Sequence, residues 1–155
     1  MNGRILMITR GAAIAALYAV VTIIFQPISF GLVQVRVSEA LTLLPFLWIK
    51  AAPGIFIGCL FANMWGGSGL LDIILGSAAT LAAAILTRYA PNKFLAATSP
   101  VVVNALVVGS YLSYILNAPL PMSIFYIGCG EAIACYALGV PLLNFVSSSK
   151  IFVKK

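Results

Sequence analysis

Apolar positions run along this chain almost without interruption, and the breaks fall at Pro, Gly and basic residues. The pattern predicts six helices. The first runs from Thr9 to Phe25 and stops near Pro27. An uncharged loop, Ser29 to Val33, leads to a second helix from Val35 to Ile49. Lys50 to Pro53 reads as a turn, with Pro53 suited to the first position of a helix. The third helix runs from Pro53 to Trp65 and is broken by Gly66, Gly67, Ser68 and Gly69. The fourth runs from Leu70 to Tyr89, the fifth from Phe94 to Leu116, and the sixth from Met122 to Val146, followed by a basic tail.

About 20 apolar residues span a bilayer core. The second and third segments are shorter and also read as a re-entrant pair. They do not read as one long helix, because Lys50 would sit at its centre with Pro53 close by.

Composition fixes the class. Of 155 residues, 63% are hydrophobic and 8% charged, whereas soluble domains run near about 25% charged. The expected fold is an all-α integral membrane protein, a single transmembrane domain over residues 1–155. No hydrophilic region is large enough for an ATP-binding domain, and no phosphate-binding glycine loop is present. The apolar stretch after Arg10 continues to Phe25 without a polar small-residue cleavage site, so it reads as a retained helix rather than a signal peptide. Cys59, Cys129 and Cys135 lack metal-ligand spacing and read as buried free thiols, with no metal or cofactor expected.

The net charge of +6 does not point to nucleic acid. Basic residues cluster near the ends of apolar runs, which is a topology signal. With a cytoplasmic N-terminus, Arg4, Arg10, Lys50, Arg88, Lys93, Lys150, Lys154 and Lys155 fall inside, and Arg36 falls outside. Six spans with both termini cytoplasmic follow as the expectation.

The acids carry the candidate chemistry. The chain has three, Glu39, Asp72 and Glu131, all in apolar surroundings. An acid in hydrocarbon is costly unless it faces a protein interior or a cavity. The topology puts all three toward the outer side, with Glu131 roughly 13 Å down its helix at 1.5 Å per residue. A pocket lined by carboxylates suits a cationic, N–H-rich ligand, because ionised carboxylates only accept hydrogen bonds. Simpler readings stay open. Arg36 and Glu39, spaced i, i+3, can pair with each other. Asp72 can serve as a helix N-terminal acid, and Glu131 as a protonated link between helices. Asn63, Asn104, Tyr111 and Trp65 fall at similar depth, and aromatics beside carboxylates suit a flat heteroaromatic ligand. Trp65 also fits an interfacial belt.

The first helix carries small residues at i, i+4: Ala12 with Ala16, and Ala15 with Ala19. Such faces let helices approach closely, inside one protein or between two. Gly54 and Gly58 form a similar pair, for which internal packing is expected.

The chain resembles the substrate-binding S-components of energy-coupling-factor (ECF) vitamin transporters in length, helix count and the alanine-rich first helix. The stretch from Val33 to Pro45, with Arg36-Val37-Ser38-Glu39-Ala40 at its heart, resembles the signature of the QueT family, as does Gly58 to Gly67 with Asp72. The resemblance implies a bacterial cell-membrane protein that binds a queuosine precursor such as preQ1 from outside. It also implies partners, a transmembrane coupling subunit and two cytoplasmic ATPases, with Ala12, Ala15, Ala16 and Ala19 meeting the coupling subunit. PreQ1 is a 7-deazaguanine with an aminomethyl arm. On that reading Glu39 and Glu131 divide its ring edge and ammonium. Asp72 stands in reserve and Arg36 holds or shares a contact. Asn104 and Asn63 read the ring, and Trp65 or Tyr111 stacks.

Two alternatives remain at this stage. One keeps the fold and takes another substrate, such as thiamin, another cationic vitamin or a purine. The other is a small proton-coupled multidrug exporter. An enzyme is not expected, since the chain has no His, metal cluster or Ser-based triad.

Overall fold

The computed structural model describes residues 3–149 apart from Leu32 and Ser68. Ser68 of the expected glycine-rich break, and the basic tail with Lys150, Lys154 and Lys155, lie outside the described residues. The chain is helical. The helices are α1 (Gly3–Ile24), a short α2 (Gln26–Ser29), α3 (Ala52–Gly66), α4 (Ser77–Tyr89), α5 (Lys93–Leu116), α6 (Leu120–Ala132) and α7 (Val140–Ser148). A π-helical stretch, Asp72–Gly76, leads into α4, and another, Ile133–Gly139, joins α6 to α7. Five continuous helices, Gly3–Ile24, Ile49–Gly66, Asp72–Tyr89, Lys93–Leu116 and Leu120–Ser148, are long and apolar enough to cross a membrane.

The second expected helix, Val35 to Ile49, is corrected. In its place stands a ten-residue 3-10 helix, Val37–Phe46. Several local causes tighten the turn. Glu39 N–H bonds back to Arg36 O at 2.9 Å, an i→i−3 pattern, and Leu47 N–H closes on Leu44 O at 3.0 Å. Pro45 has no N–H to give to an α-helical ladder. The Thr42 hydroxyl takes the Glu39 carbonyl at 2.5 Å. At about 2.0 Å per residue, ten residues cover roughly 20 Å, against about 15 Å in an α-helix. The contacts at its two ends agree with that reach. Arg36, just before it, pairs with Asp72 at the start of the third long helix, Asp72–Tyr89. Phe46, its last residue, accepts from Arg88 near the end of α4 at 3.1 Å. The segment thus runs beside most of that helix.

This slender helix is the centre of the bundle. Residues Ser38 to Pro45 are all buried, and they pack against α1, α3, α4, α5, α7 and the 133–139 stretch. Glycine makes the closest approaches possible. A Cβ at Gly139 would lie 3.3 Å from Ala40 Cα and 3.1 Å from the Leu43 side chain. On α6 the inward residues are Ser123, Ile127, Gly130 and Glu131, a helical stripe that leaves Cys129 exposed. The expectation of three buried thiols therefore holds for Cys59 and Cys135 and fails for Cys129.

Helices α1 and α3 pack through the glycine pair, as expected. A Cβ at Gly54 would meet Gly11 O at 2.5 Å, and one at Gly58 would meet Ala15 O at 2.6 Å. On the outside of this pair lies a groove of about 1010 Å³. Ala12, Ala15, Ala16 and Ala19 form part of one wall, and Gly54, Ile57 and Phe61 of α3, with Leu81 and Ile85 of α4, face them, while Lys50 borders one end. Ala12 and Ala16 are exposed, and Ala15 and Ala19 are half-buried.

Among the described residues, Arg10, Arg88 and Lys93 gather at the end opposite Arg36. Arg10 lies over the Trp48 ring at 5.9 Å, Arg88 reaches Phe46, and Lys93 donates to Asn144 Oδ1 at 2.6 Å.

Candidate functional site

Every acid in the chain faces the bundle interior, as do most of the polar residues singled out from the sequence. Glu39 is 0% exposed, Glu131 1%, Arg36 2% and Asp72 3%. Asn63, Asn104 and Tyr111 are buried with them. Trp65 is 71% exposed and stands apart, so the stacking role considered for it is corrected. The reason is helical geometry. Trp65 lies two positions beyond Asn63, about 200° around an α-helix, so the two cannot share a face. Asn104 and Tyr111, seven residues apart, do share one.

The Arg36–Glu39 ion pair, one of the readings left open by the sequence, gives way to a salt bridge from Arg36 to Asp72. Arg36 precedes the 3-10 helix in extended backbone (φ −87°, ψ 90°), so the helix-face argument does not reach it. Its Nη2 lies 3.7 Å from Asp72 Oδ2, its Nη1 is 3.7 Å from Cys59 Sγ, and its guanidinium sits 5.3 Å over the Phe30 ring. Asp72 accepts a short hydrogen bond from the Tyr111 hydroxyl on its other oxygen. It joins three elements rather than capping one. The π-helical turn at 72–76 shapes this corner, because a Cβ at Gly76 would lie 2.9 Å from Asp72 Oδ1 and 3.0 Å from the Tyr111 hydroxyl. Asn63 Nδ2 donates to Asp72 O at 2.9 Å and to Ser77 Oγ at 3.3 Å.

Glu39 is held from two other helices. Tyr18 of α1 donates a short hydrogen bond to its Oε1, and Thr80 of α4 donates to the same oxygen at 2.9 Å. Glu131, on α6, is close enough to Glu39 and Arg36 to interact with both charges. Its Oε2 faces Cys135 Sγ at 3.9 Å. Asn104 of α5 lies within reach of both glutamate carboxyls.

The cluster is built from nearly every long helix, yet its hydrogen bonding is incomplete. Among the described residues, buried atoms without a hydrogen-bond partner include Glu39 Oε2, Asn63 Oδ1 and Asn104 Oδ1 as acceptors. They also include Gln34 Nε2, Arg36 Nε and Arg36 Nη2 as donors, and Ser123 Oγ. Buried polar groups are normally paired, so a concentration of unpaired ones is a feature to explain. Donors and acceptors in one buried cluster match a ligand that carries both. The residues present give no group of three or more His, Cys, Asp or Glu able to hold a metal among those described.

A family model described as QueT transporter matches residues 8–148. The chain belongs to the QueT transporter family. It is a transporter, and with five membrane-length apolar helices it is a multi-pass membrane protein. No curated protein and no solved structure matches it. In this QueT-family chain the Arg36-x-Ser38-Glu39 block is the entry to the 3-10 helix, which explains its mixture of residue types. Ser38 bonds Thr22 of α1 at 2.6 Å, while Arg36 and Glu39 turn to different helices.

Sequence reasoning missed Gln34, Tyr18, Thr80 and Cys59. Tyr18 and Thr80 had a readable signal, since each falls on the same helical face as other inward residues: Ile14 and Thr22 with Tyr18, and Ser77, Ala83 and Ala84 with Thr80. Gln34 had none, because its burial depends on how the loop docks on α6.

Proposed function

We propose that this chain is the substrate-binding S-component of an ECF-type importer in a bacterial cell membrane. It takes up a preQ1-like 7-deazaguanine. The observation that carries the reading is the buried cluster of Arg36, Glu39, Asp72, Glu131 and Asn104, with polar atoms left unpartnered in a chain of the QueT transporter family. A 7-deazaguanine with an aminomethyl arm offers ring N–H donors, a ring carbonyl and an ammonium. Ionised carboxylates accept from the N–H groups and offset the ammonium charge. Glu39 and Glu131 divide these two tasks. Asp72, tied to Tyr111 and Arg36, frames the site. Asn63 and Asn104 present carbonyl oxygens to ring N–H groups, and Tyr111 lies against the base.

The membrane has six crossings on this reading, the sixth being the 3-10 helix between Arg36 and Phe46. Its reach alongside the helix that ends in α4 supports that. Both termini are cytoplasmic. The end bearing Arg10, Lys50, Arg88 and Lys93 faces the cytoplasm, in keeping with the excess of basic residues on that side of membranes. Energy comes from partners, a transmembrane coupling subunit and two cytoplasmic ATPases. The groove bordered by Ala12, Ala15, Ala16 and Ala19 receives the coupling subunit, and its small residues allow close helix approach.

Binding of preQ1 to purified wild type, Glu39→Gln and Glu131→Gln tests the site. Loss in either variant is expected, and unchanged affinity in both would sink it. ATP-dependent uptake that needs all the partner subunits is the expected transport behaviour. Proton-driven transport by the chain alone would overturn it.

A further inference from the structure

The unpartnered atoms divide by origin. The acceptors, Glu39 Oε2, Asn63 Oδ1 and Asn104 Oδ1, come from helices. The donors, Gln34 Nε2 with Arg36 Nε and Nη2, come from one short non-helical stretch at 34–36, extended at Arg36. In extended chain, alternate side chains share a side. Burial follows that period, since Gln34 and Arg36 are each 2% exposed while Val35 between them is only partly buried.

The stretch is fixed in place from two sides. Val35 N–H bonds Ile28 O at 2.7 Å. The Gln34 carbonyl packs directly on Gly130, where a side chain has no room, one residue before Glu131. The Gln34 backbone is therefore anchored on α6 one residue before Glu131, and its side chain carries a buried amide N–H that lacks an acceptor. Arg36 is already committed to Asp72, Cys59 and Phe30. Gln34 has no such engagement on its Nε2.

We infer that Gln34 is a specificity-determining residue whose amide donates to the ring carbonyl of the ligand. It selects a lactam edge, an N–H beside a C=O, over an amino-substituted edge. Carboxylates alone cannot make this distinction, because they accept from an amino group as readily as from a ring N–H. A fixed neutral donor can, since an amino group opposite it leaves two donors facing each other. The inference rests on the 7-deazaguanine reading of the site.

The test compares two ligands on the purified full chain: 7-aminomethyl-7-deazaguanine and its thione analogue, which keeps the ring N–H and has sulfur, a weaker acceptor, in place of the ring carbonyl oxygen. In wild type the analogue is expected to bind about tenfold or more weakly. In Gln34→Met, which keeps length and removes the donor, the two ligands are expected to bind within about twofold of each other. Gln34→Glu, which replaces the donor by an acceptor, is expected to weaken the carbonyl ligand more than the analogue. Equal affinity of wild type for both ligands overturns the inference, whatever the variants do. A wild-type preference that persists in Gln34→Met overturns it as well, and leaves the 7-deazaguanine reading standing. Failure of wild type to bind either ligand overturns both together.

Discussion

The interior cluster and the outer groove are built on opposite principles, although α1, α3 and α4 contribute to both. The cluster is closed, polar and short of hydrogen-bond partners. The groove is open and mostly apolar, with small side chains along its α1 wall. Tyr18 and Ala15 or Ala19 are near neighbours on α1, yet Tyr18 bonds Glu39 while the alanines border the groove. A hydrogen-bonding cluster discriminates among small polar molecules, since each mismatch leaves a buried group unpaired. A smooth groove has no such code. It suits a large, shape-matched surface in lipid, where close packing rather than the hydrophobic effect holds helices together. One helix thus faces two kinds of recognition with its two sides.

That division can be broken experimentally. The largest effect is expected from Glu39→Ala. It removes an acceptor of two buried hydroxyl donors, Tyr18 and Thr80. PreQ1 affinity should fall about a hundredfold, at about 1.5–3 kcal/mol per hydrogen bond to a charged group. Isothermal titration in detergent would read it, and the groove should be unaffected. Gly58→Val comes next and should not respect the division at all. Its side chain has no room against Ala15 O and Tyr18 Cβ, so α1 and α3 separate, at a cost of about 1–3 kcal/mol. A lowered melting temperature, with ligand binding and partner copurification weakened together, is the expected signature.

Ala16→Trp sharpens the contrast from the other side. It fills the groove from an exposed position. Uptake in the presence of partner subunits should fall about tenfold, the equivalent of about 1.4 kcal/mol of docking. PreQ1 binding by the isolated chain should stay within about twofold. A matching loss of binding would mean the two faces are not separable. The smallest effect is expected from Trp65→Ala, whose side chain is largely exposed and does not line the groove. Affinity changed by more than about twofold would return Trp65 to the site.

Much of this was legible in the sequence, and the failures have physical causes. Four long helices follow directly from apolar length. The burial of Glu39, Asp72 and Glu131 follows from the cost of a carboxylate in hydrocarbon. The Gly54–Gly58 contact follows from spacing. Residues 37–46 were misread as α-helix because an apolar run buried on all sides has no period to reveal its pitch. Once the pitch was wrong, the Arg36–Glu39 pairing went with it. Trp65 was a lapse of another kind, since Asn63 and Trp65 already face opposite ways in any α-helix. The partners of Asp72 were beyond reach, because Tyr111 and Arg36 meet it only through the tertiary fold.

The buried 3-10 helix also bears on how the protein is made. Ten residues flanked by Arg36 and Lys50 and carrying Glu39 are a poor substrate for membrane insertion on their own. Of the helices that enclose this segment, only α1 precedes it in the chain. The others, down to the 133–139 stretch, are synthesised afterwards. The segment can therefore complete its packing only after the closing helices have been made. Completing the polar cluster and completing insertion become one event. Changes to that cluster should then be read first in how much protein the membrane accumulates, before any ligand is added.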